Sequence, residues 1–408
     1  MLLVPILLSA LAVAPGIQAR QAAVLQLRGE LVAARARIDA ALAEGPDDVA
    51  ALFVAACIAI ESGRLDDAST YASRLARRSP APPQATVVKA LVQRRREHPG
   101  EPLREAVAEA WRVAGRPDLS GGLPGLERLR ESSELVPQLA RERLPALGPG
   151  EKLLFDRPPD EVDRLRAVFA AARRPERNPL VVNLELLGEL AYLAPNAGSD
   201  ATRATEAAAR VGQVVTAADP GNGYLRIAWW LAAAPETQPL SEADLDLLER
   251  EAARPRFGYP RREMLGQLRV MAHRVDPDHA DMRATLAALG APVAMFVLWK
   301  RAEVTRRDGA SGVRTSARAA GALAAVGRRL GESRAILDRM VGAKLERTGA
   351  LLGGDAEAIA ATNARTDALA AWREEAVAAE ERLGLWPFAS SWREWDPDEV
   401  SYFQRLLD

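Results

Sequence analysis

Three histidines and a single cysteine in 408 residues limit the chemistry open to this chain. The densest group of metal- or proton-handling side chains is His273, Asp276, Asp278, His279 and Asp281, in the run HRVDPDHAD. Two imidazoles and several carboxylates are a chemically reasonable donor set for a divalent metal. No pair among them, however, falls at a recognised ligand spacing. The same residues read more simply as a helix start, with Asp276 capping a helix whose first residue is Pro277 and acids gathered at its positive end. Cys57 has no histidine and acid arranged around it in sequence, so it reads as a small buried apolar residue rather than a nucleophile, and one cysteine allows no disulfide within the chain. The sequence contains no Gly-rich phosphate loop, no Gly-x-Ser-x-Gly elbow, no His-Glu-x-x-His and no cysteine pair. No catalytic residue, cofactor or metal is therefore assigned. Carboxylates brought together from distant helices remain the one open route to an acid–base site.

The elements that would position such groups are helices. Alanine makes up about a fifth of the residues and aromatics 5%, a balance that favours helices packed closely through small side chains over an aromatic-cored β fold. A formal charge of -1, from 54 basic and 55 acidic residues, provides no field to gather nucleic acid. Arg94, Arg95 and Arg96 form a compact basic run, and the balanced charge around them makes it a solvated helix end.

The helices have a period. Pro46 and Pro80 are 34 residues apart, and between them Leu52, Ala55, Ala56 and Ala59 form an i, i+3, i+4, i+7 stripe, repeated by Leu65, Ala68, Ala72 and Leu75 after a break at Ser62-Gly63. A second unit can be laid over residues 15–48 in the same register, through Ala22, Gly29, Leu31, Ala34, Ile38, Ala41 and Pro46. A third begins at Pro83, and extra residues around His98-Pro99-Gly100 disturb its period. This pattern resembles the tetratricopeptide repeat, clearly in one unit, imperfectly in two, and more loosely over 180–255. The resemblance implies an all-α fold, a solenoid of helical hairpins whose first helices line a concave groove that binds a peptide or a partner's helix. By that resemblance the groove-facing positions of the clearest unit are Ala50, Phe53, Cys57, Ile60 and Glu61. The paired Lys/Asn arrangement by which some members hold a terminal carboxylate is absent, which favours an apolar partner or the protein's own helices.

Residues 1–14 are apolar throughout and too short to span a bilayer as a helix. With the small residue Ala19 after them they resemble a signal peptide cleaved to leave Arg20 first, although no basic residue precedes Arg20. A retained membrane anchor and a buried N-terminal helix are the alternatives. The chain then divides into repeats over 20–117, a linker with an amphipathic stretch (126–144) over 118–160, looser hairpins over 161–260, and a longer-helix region over 261–408. In the last, helices are expected near 261–274, 277–289, 292–307, 311–352 and 355–383. The run 293–299 should be buried, and Gly321, Gly327, Gly331 and Gly342 imply either close packing of a neighbouring helix or a break near Gly331. Ser241 with Asp244 reads as a helix N-cap, and Asp396-Pro397 with Glu399 as another helix start. Trp386, Phe388, Trp392, Trp395, Tyr402 and Phe403 make an aromatic end that either seals the last helices or presents a docking surface.

Together these features predict a non-enzymatic interaction scaffold of the bacterial cell envelope that binds peptide or helical segments, periplasmic or secreted, with no nucleic-acid partner and no stable transmembrane span after processing. An all-α hydrolase or lyase with a site between helical halves is the alternative, and a structural subunit that oligomerises through the Trp-rich end is a third.

Overall fold

The computed structural model describes residues 15–78, 80–124, 126, 145, 147–193, 198–233, 238–289, 294–308, 313–384, 386–395 and 398–408. Among them the chain is all-helical. Its helices are α1 (Pro15–Leu27), α2 (Leu31–Glu44), α3 (Val49–Glu61), α4 (Leu65–Ala76), α5 (Gln84–Glu97), α6 (Leu103–Val113), α7 (Pro149–Phe155), α8 (Glu161–Ala171), α9 (Leu180–Leu193) and α10 (Ala201–Ala218). There follow α11 (Gly223–Ala233), α12 (Glu242–Ala252), α13 (Arg261–Val275), α14 (Ala280–Leu289), α15 (Ala294–Arg307), α16 (Val313–Gly331), α17 (Ile336–Gly353), α18 (Ala356–Leu383), α19 (Ser390–Arg393) and α20 (Glu399–Leu407). The expected amphipathic stretch over 126–144 and the signal-peptide core over 1–14 lie outside the described residues, apart from Leu126. Among the described residues no helix is long and apolar enough to cross a membrane.

The chain folds as two compact units, and the first is discontinuous: Met1–Pro137 joined by Ala378–Glu394. In this unit α1 pairs with α2, α3 with α4 and α5 with α6, while α1, α3 and α5 also touch in succession. The turns fall where the sequence places them. Gly29 and Gly63 both take positive φ, 85° and 71°, a conformation that costs glycine little, and so reverse the chain between partners. Asp48 caps α3 through the Ala51 amide at 2.8 Å. Every residue of α3 from Ala50 to Ile60 is buried, so this helix is enclosed on all sides rather than amphipathic. The helix α1 starts at Pro15 and buries Gln18 and Ala19, so processing before Arg20 would remove part of its packed first turns.

The second unit, Gln138–Val377 with Trp395–Asp408, is formed by α7 to α17, most of α18, and α20. Its core is led by Leu186, Leu187 and Leu190 of α9, Val211 and Val215 of α10, Leu225 and Leu231 of α11, and Leu323 and Val326 of α16. The predicted 311–352 segment is two helices, α16 and α17, separated just after Gly331. They cross at glycine, as the small residues suggested: a Cβ on Gly342 would lie 2.6 Å from the Gly327 carbonyl oxygen, and one on Gly349 would lie 2.8 Å from that of Ala320. Ser241 and Asp244 form a reciprocal capping box at the start of α12. The run 293–299 is only partly enclosed: Met295 and Leu298 are buried, but Phe296 is exposed and stands against Trp299, its centroid 5.2 Å away.

By its contacts the C-terminal end is shared between the two units. Residues 378–394 leave the 261–408 region and complete the first unit, whereas Trp395 packs on the core of the second.

Candidate functional site

The residues expected to line a groove, Ala50, Phe53, Cys57, Ile60 and Glu61, are brought together on α3, but they form no open surface. Trp386, Ala389 and Ser390 of the chain's own C-terminal part lie against this helix as a strap. Gly384, at φ 71°, ends α18 and turns the chain away. Trp386 precedes a proline, which biases it toward extended backbone. Its ring meets Phe53 edge-on, with centroids 5.2 Å apart, and stacks on Phe388 at 6.1 Å with an interplanar angle of 12°. Phe53, Cys57, Ile60, Trp386 and Phe388 are all buried. Burial, and secondarily the charge of Glu61, pushes the Cys57 thiol well above its ordinary value, which leaves it inert as a nucleophile.

Polar groups fix the register of this strap. Glu61 takes the Ser390 amide at 2.6 Å and the Ala389 amide at 3.2 Å, and its second oxygen also accepts from Gln26 Nε2 at 3.0 Å. Trp392 Nε1 donates to the Leu27 carbonyl at 2.9 Å, a group at the C-terminal end of α1 with no further helical turn to bind. The Glu394 carboxylate accepts from the Leu103 and Arg104 amides at 2.5 and 3.3 Å, which supplies the N-terminus of α6 with the cap that Pro102 lacks. The strap therefore touches the first, second and third helix pairs of its unit. The aromatic end does not act as one block: Trp386, Phe388 and Trp392 are committed to the first unit, while in the second Phe403 lies against Tyr402 and Trp372, 5.2 and 6.4 Å away.

The His/Asp group is only partly assembled. His279 Nδ1 lies 2.9 Å from Asp276 Oδ1, and Arg283 Nε bonds the other oxygen of Asp276. Burial works against ionisation of Asp276, but the bonds from Arg283 and His279 outweigh it and hold the carboxyl below its usual range. The side chain thus serves an ion pair rather than the expected capping bond, and α14 begins at Ala280 after a short 3-10 turn, Pro277–His279. His273 and Asp278 are exposed, and Asp281 faces Arg269 at 3.3 Å. Among the described residues no group of three or more His, Cys, Asp or Glu is arranged to hold a metal. Arg94 makes a two-pronged pair with Glu101 at 2.7 Å and Arg96 reaches Asp66 at 2.7 Å, so these guanidiniums are engaged locally. No protein-family model, curated protein or solved structure matches this chain.

A polar cluster with no counterpart among the expected sites lies in the second unit. Glu185 and Glu189, one turn apart on α9, are buried, with side chains 3% and 4% exposed, and share a single cation, Arg157, from the loop between α7 and α8. Arg157 pairs with Glu185 and lies 2.8 Å from Glu189, whose other oxygen, Oε2, has no hydrogen-bond partner. Burial drives the Glu185 carboxyl up to about 7, the nearby Arg157 opposing and the Glu189 charge adding to it. Behind them the Tyr259 hydroxyl is buried without a partner, and its ionisation is pushed far up by burial and by the charges of Glu185 and Asp338. The sequence signal was present: two glutamates at i, i+4 in the otherwise apolar NLELLGELAYL. Glu251 shows the contrast, since that buried carboxylate is surrounded by Arg226, Arg250 and Arg254.

Proposed function

We propose that this protein is a non-enzymatic, peptide-binding scaffold of the bacterial cell envelope, built at its N-terminal end on a tetratricopeptide-like solenoid. The observation that carries the reading is the way α3 receives the strap: the Trp386 ring meets Phe53 with Phe388 stacked on its other side, while Glu61 takes the consecutive backbone amides of Ala389 and Ser390. An apolar surface that takes an aromatic anchor, with a carboxylate that caps the first amides of a helical turn, is how a helix-containing peptide can be seated and oriented. The ligand class follows from the strap itself, a short segment with aromatics two residues apart that leads into the helical turn α19, whose leading amides, Ala389 and Ser390, are the ones Glu61 accepts. Held in cis, the strap acts at a millimolar-scale effective concentration, so a partner with the same chemistry must compete with it.

A labelled peptide of residues 384–394, added to the full chain carrying Trp386→Ala and Phe388→Ala, tests the reading. Binding in the micromolar range with a rise in melting temperature on peptide addition is expected, whereas the unaltered chain takes up little. A folded variant that neither binds nor gains stability would overturn it. The envelope placement rests on the apolar run over 1–14 and Ala19, and N-terminal sequencing of exported protein should find Arg20 first; retention of Met1 would remove that part of the proposal.

The enzyme reading draws on one feature, the Glu185 and Glu189 pair. Both side chains are almost fully covered, so a substrate reaches them only after Arg157 moves.

A further inference from the structure

The imbalance at α9 has a physical remedy that involves no substrate. Two buried carboxylates face one guanidinium, so the fully ionised triad holds one negative charge more than its cation offsets, in surroundings where an unpaired ion is heavily penalised. The groups that bear on Glu185 are few: Glu189 on its own helix, Arg157 from the α7–α8 loop, and Tyr259 from the segment before α13, with Asp338 and Arg261 acting on Tyr259 from behind. Only Arg157, 36% exposed, reaches bulk solvent from the triad. Glu189 Oε2 and the Tyr259 hydroxyl are left without partners.

We propose that Glu185, Glu189 and Arg157 form a proton-operated latch: it is closed and charge-balanced when the carboxylate pair holds one proton, and opens to admit water along the α7–α8 loop when that proton leaves.

The direction follows from linkage. In the closed form burial raises the proton affinity of Glu185 from its ordinary 4.5 to about 7. When water enters, burial, the largest effect, is relieved and outweighs the loss of the opposing Arg157 charge, so the carboxyl returns toward its ordinary value. The closed form therefore binds the proton more tightly, and acid favours it. The same sign holds for what Glu185 contributes to folding. Because the folded value is the higher one, the contribution of this group is full below about 4.5, declines as pH rises from about 4.5 to about 7 and is absent beyond. Closure would bind the α7–α8 loop to α9 in mildly acidic surroundings and release it in neutral ones.

Hydrogen exchange of the full chain, followed on a peptide covering residues 150–165 and corrected for the intrinsic pH dependence of exchange, tests this. Protection at pH 6 should exceed that at pH 8 by about tenfold, since a carboxyl that titrates near 7 when closed and near 4.5 when open changes the closing equilibrium by about a factor of ten for each pH step between those values. Glu185→Gln, a neutral group of the same shape, should give the pH 6 protection at both values. Glu189→Gln, which removes the neighbouring like charge, should move the midpoint of the change to lower pH and serves as the second probe if Glu185→Gln folds poorly. Equal protection of the unaltered chain at the two pH values, or greater protection at pH 8, overturns the latch.

Discussion

Replacing Trp386 with alanine will destabilise the first unit by about 3–5 kcal/mol, the range for truncating a buried tryptophan. The ring is enclosed between Phe53 and Phe388, and its loss removes the apolar contact that holds the strap on α3. The companion change Phe53→Ser with Ile60→Ser separates two pictures of this surface. On an open groove, exposed side chains shift stability by only about 0.5 kcal/mol; on a face sealed from within, the pair should cost several kcal/mol. The second outcome is expected, because Phe53 and Ile60 are 4% and 3% exposed. Urea unfolding resolved by exchange at amides of α1 to α6 provides the measurement, since a chain of two units need not unfold in one step. A loss confined to about half a kcal/mol would mean that the strap does not cover α3.

The second large effect lies where α16 and α17 cross. Gly342→Ala gains up to about 1 kcal/mol of helix propensity, yet its methyl would meet the Gly327 carbonyl oxygen at 2.6 Å and Leu330 Cβ at 2.9 Å. Backbone on the far side cannot swing away as a side chain can, so over-packing of about 1–3 kcal/mol should win. Gly342→Leu should reach the upper end of that range. Gly321→Ala on α16 is the control, for nothing lies within 4 Å of its added carbon, and it should stabilise by up to about 1 kcal/mol. Thermal melts that moved the same way for Gly342→Ala and Gly321→Ala would show that the crossing is not held by glycine.

The helix boundaries were legible in the sequence because they are local. Gly29 and Gly63 mark turns, Ser241 with Asp244 marks a helix start, and the glycines of 321–342 pointed to either close helix packing or a break near Gly331, both of which occur. The occupant of the α3 face was not legible. Ala389 and Glu61 are 328 residues apart, and an aromatic-rich segment announces that it will be buried without announcing against what. The conclusion that Phe53 and Ile60 line an inner face stood on repeat register, which cannot tell a surface open to a partner from one filled by the same chain. The glutamates of α9 were missed for a related reason. An acid within an apolar run reads as a solvated position, and only the arrival of Arg157 from another loop makes burial of Glu185 and Glu189 tolerable.

The discontinuity of the first unit sets an order of events during synthesis. Its last piece, which starts at Ala378, follows the end of α6 at Val113 by roughly 265 residues, and at about 5–20 residues per second that interval is on the order of 13–50 s. Through this time the α3 face has emerged from the ribosome while the strap that covers it does not yet exist. A nascent chain in this state presents Phe53 and its apolar neighbours to whatever is nearby, including neighbouring nascent chains on the same message. The production of this protein should therefore depend on holding factors that shield the early helices, and slowing translation should lower its yield even though the finished fold is unchanged.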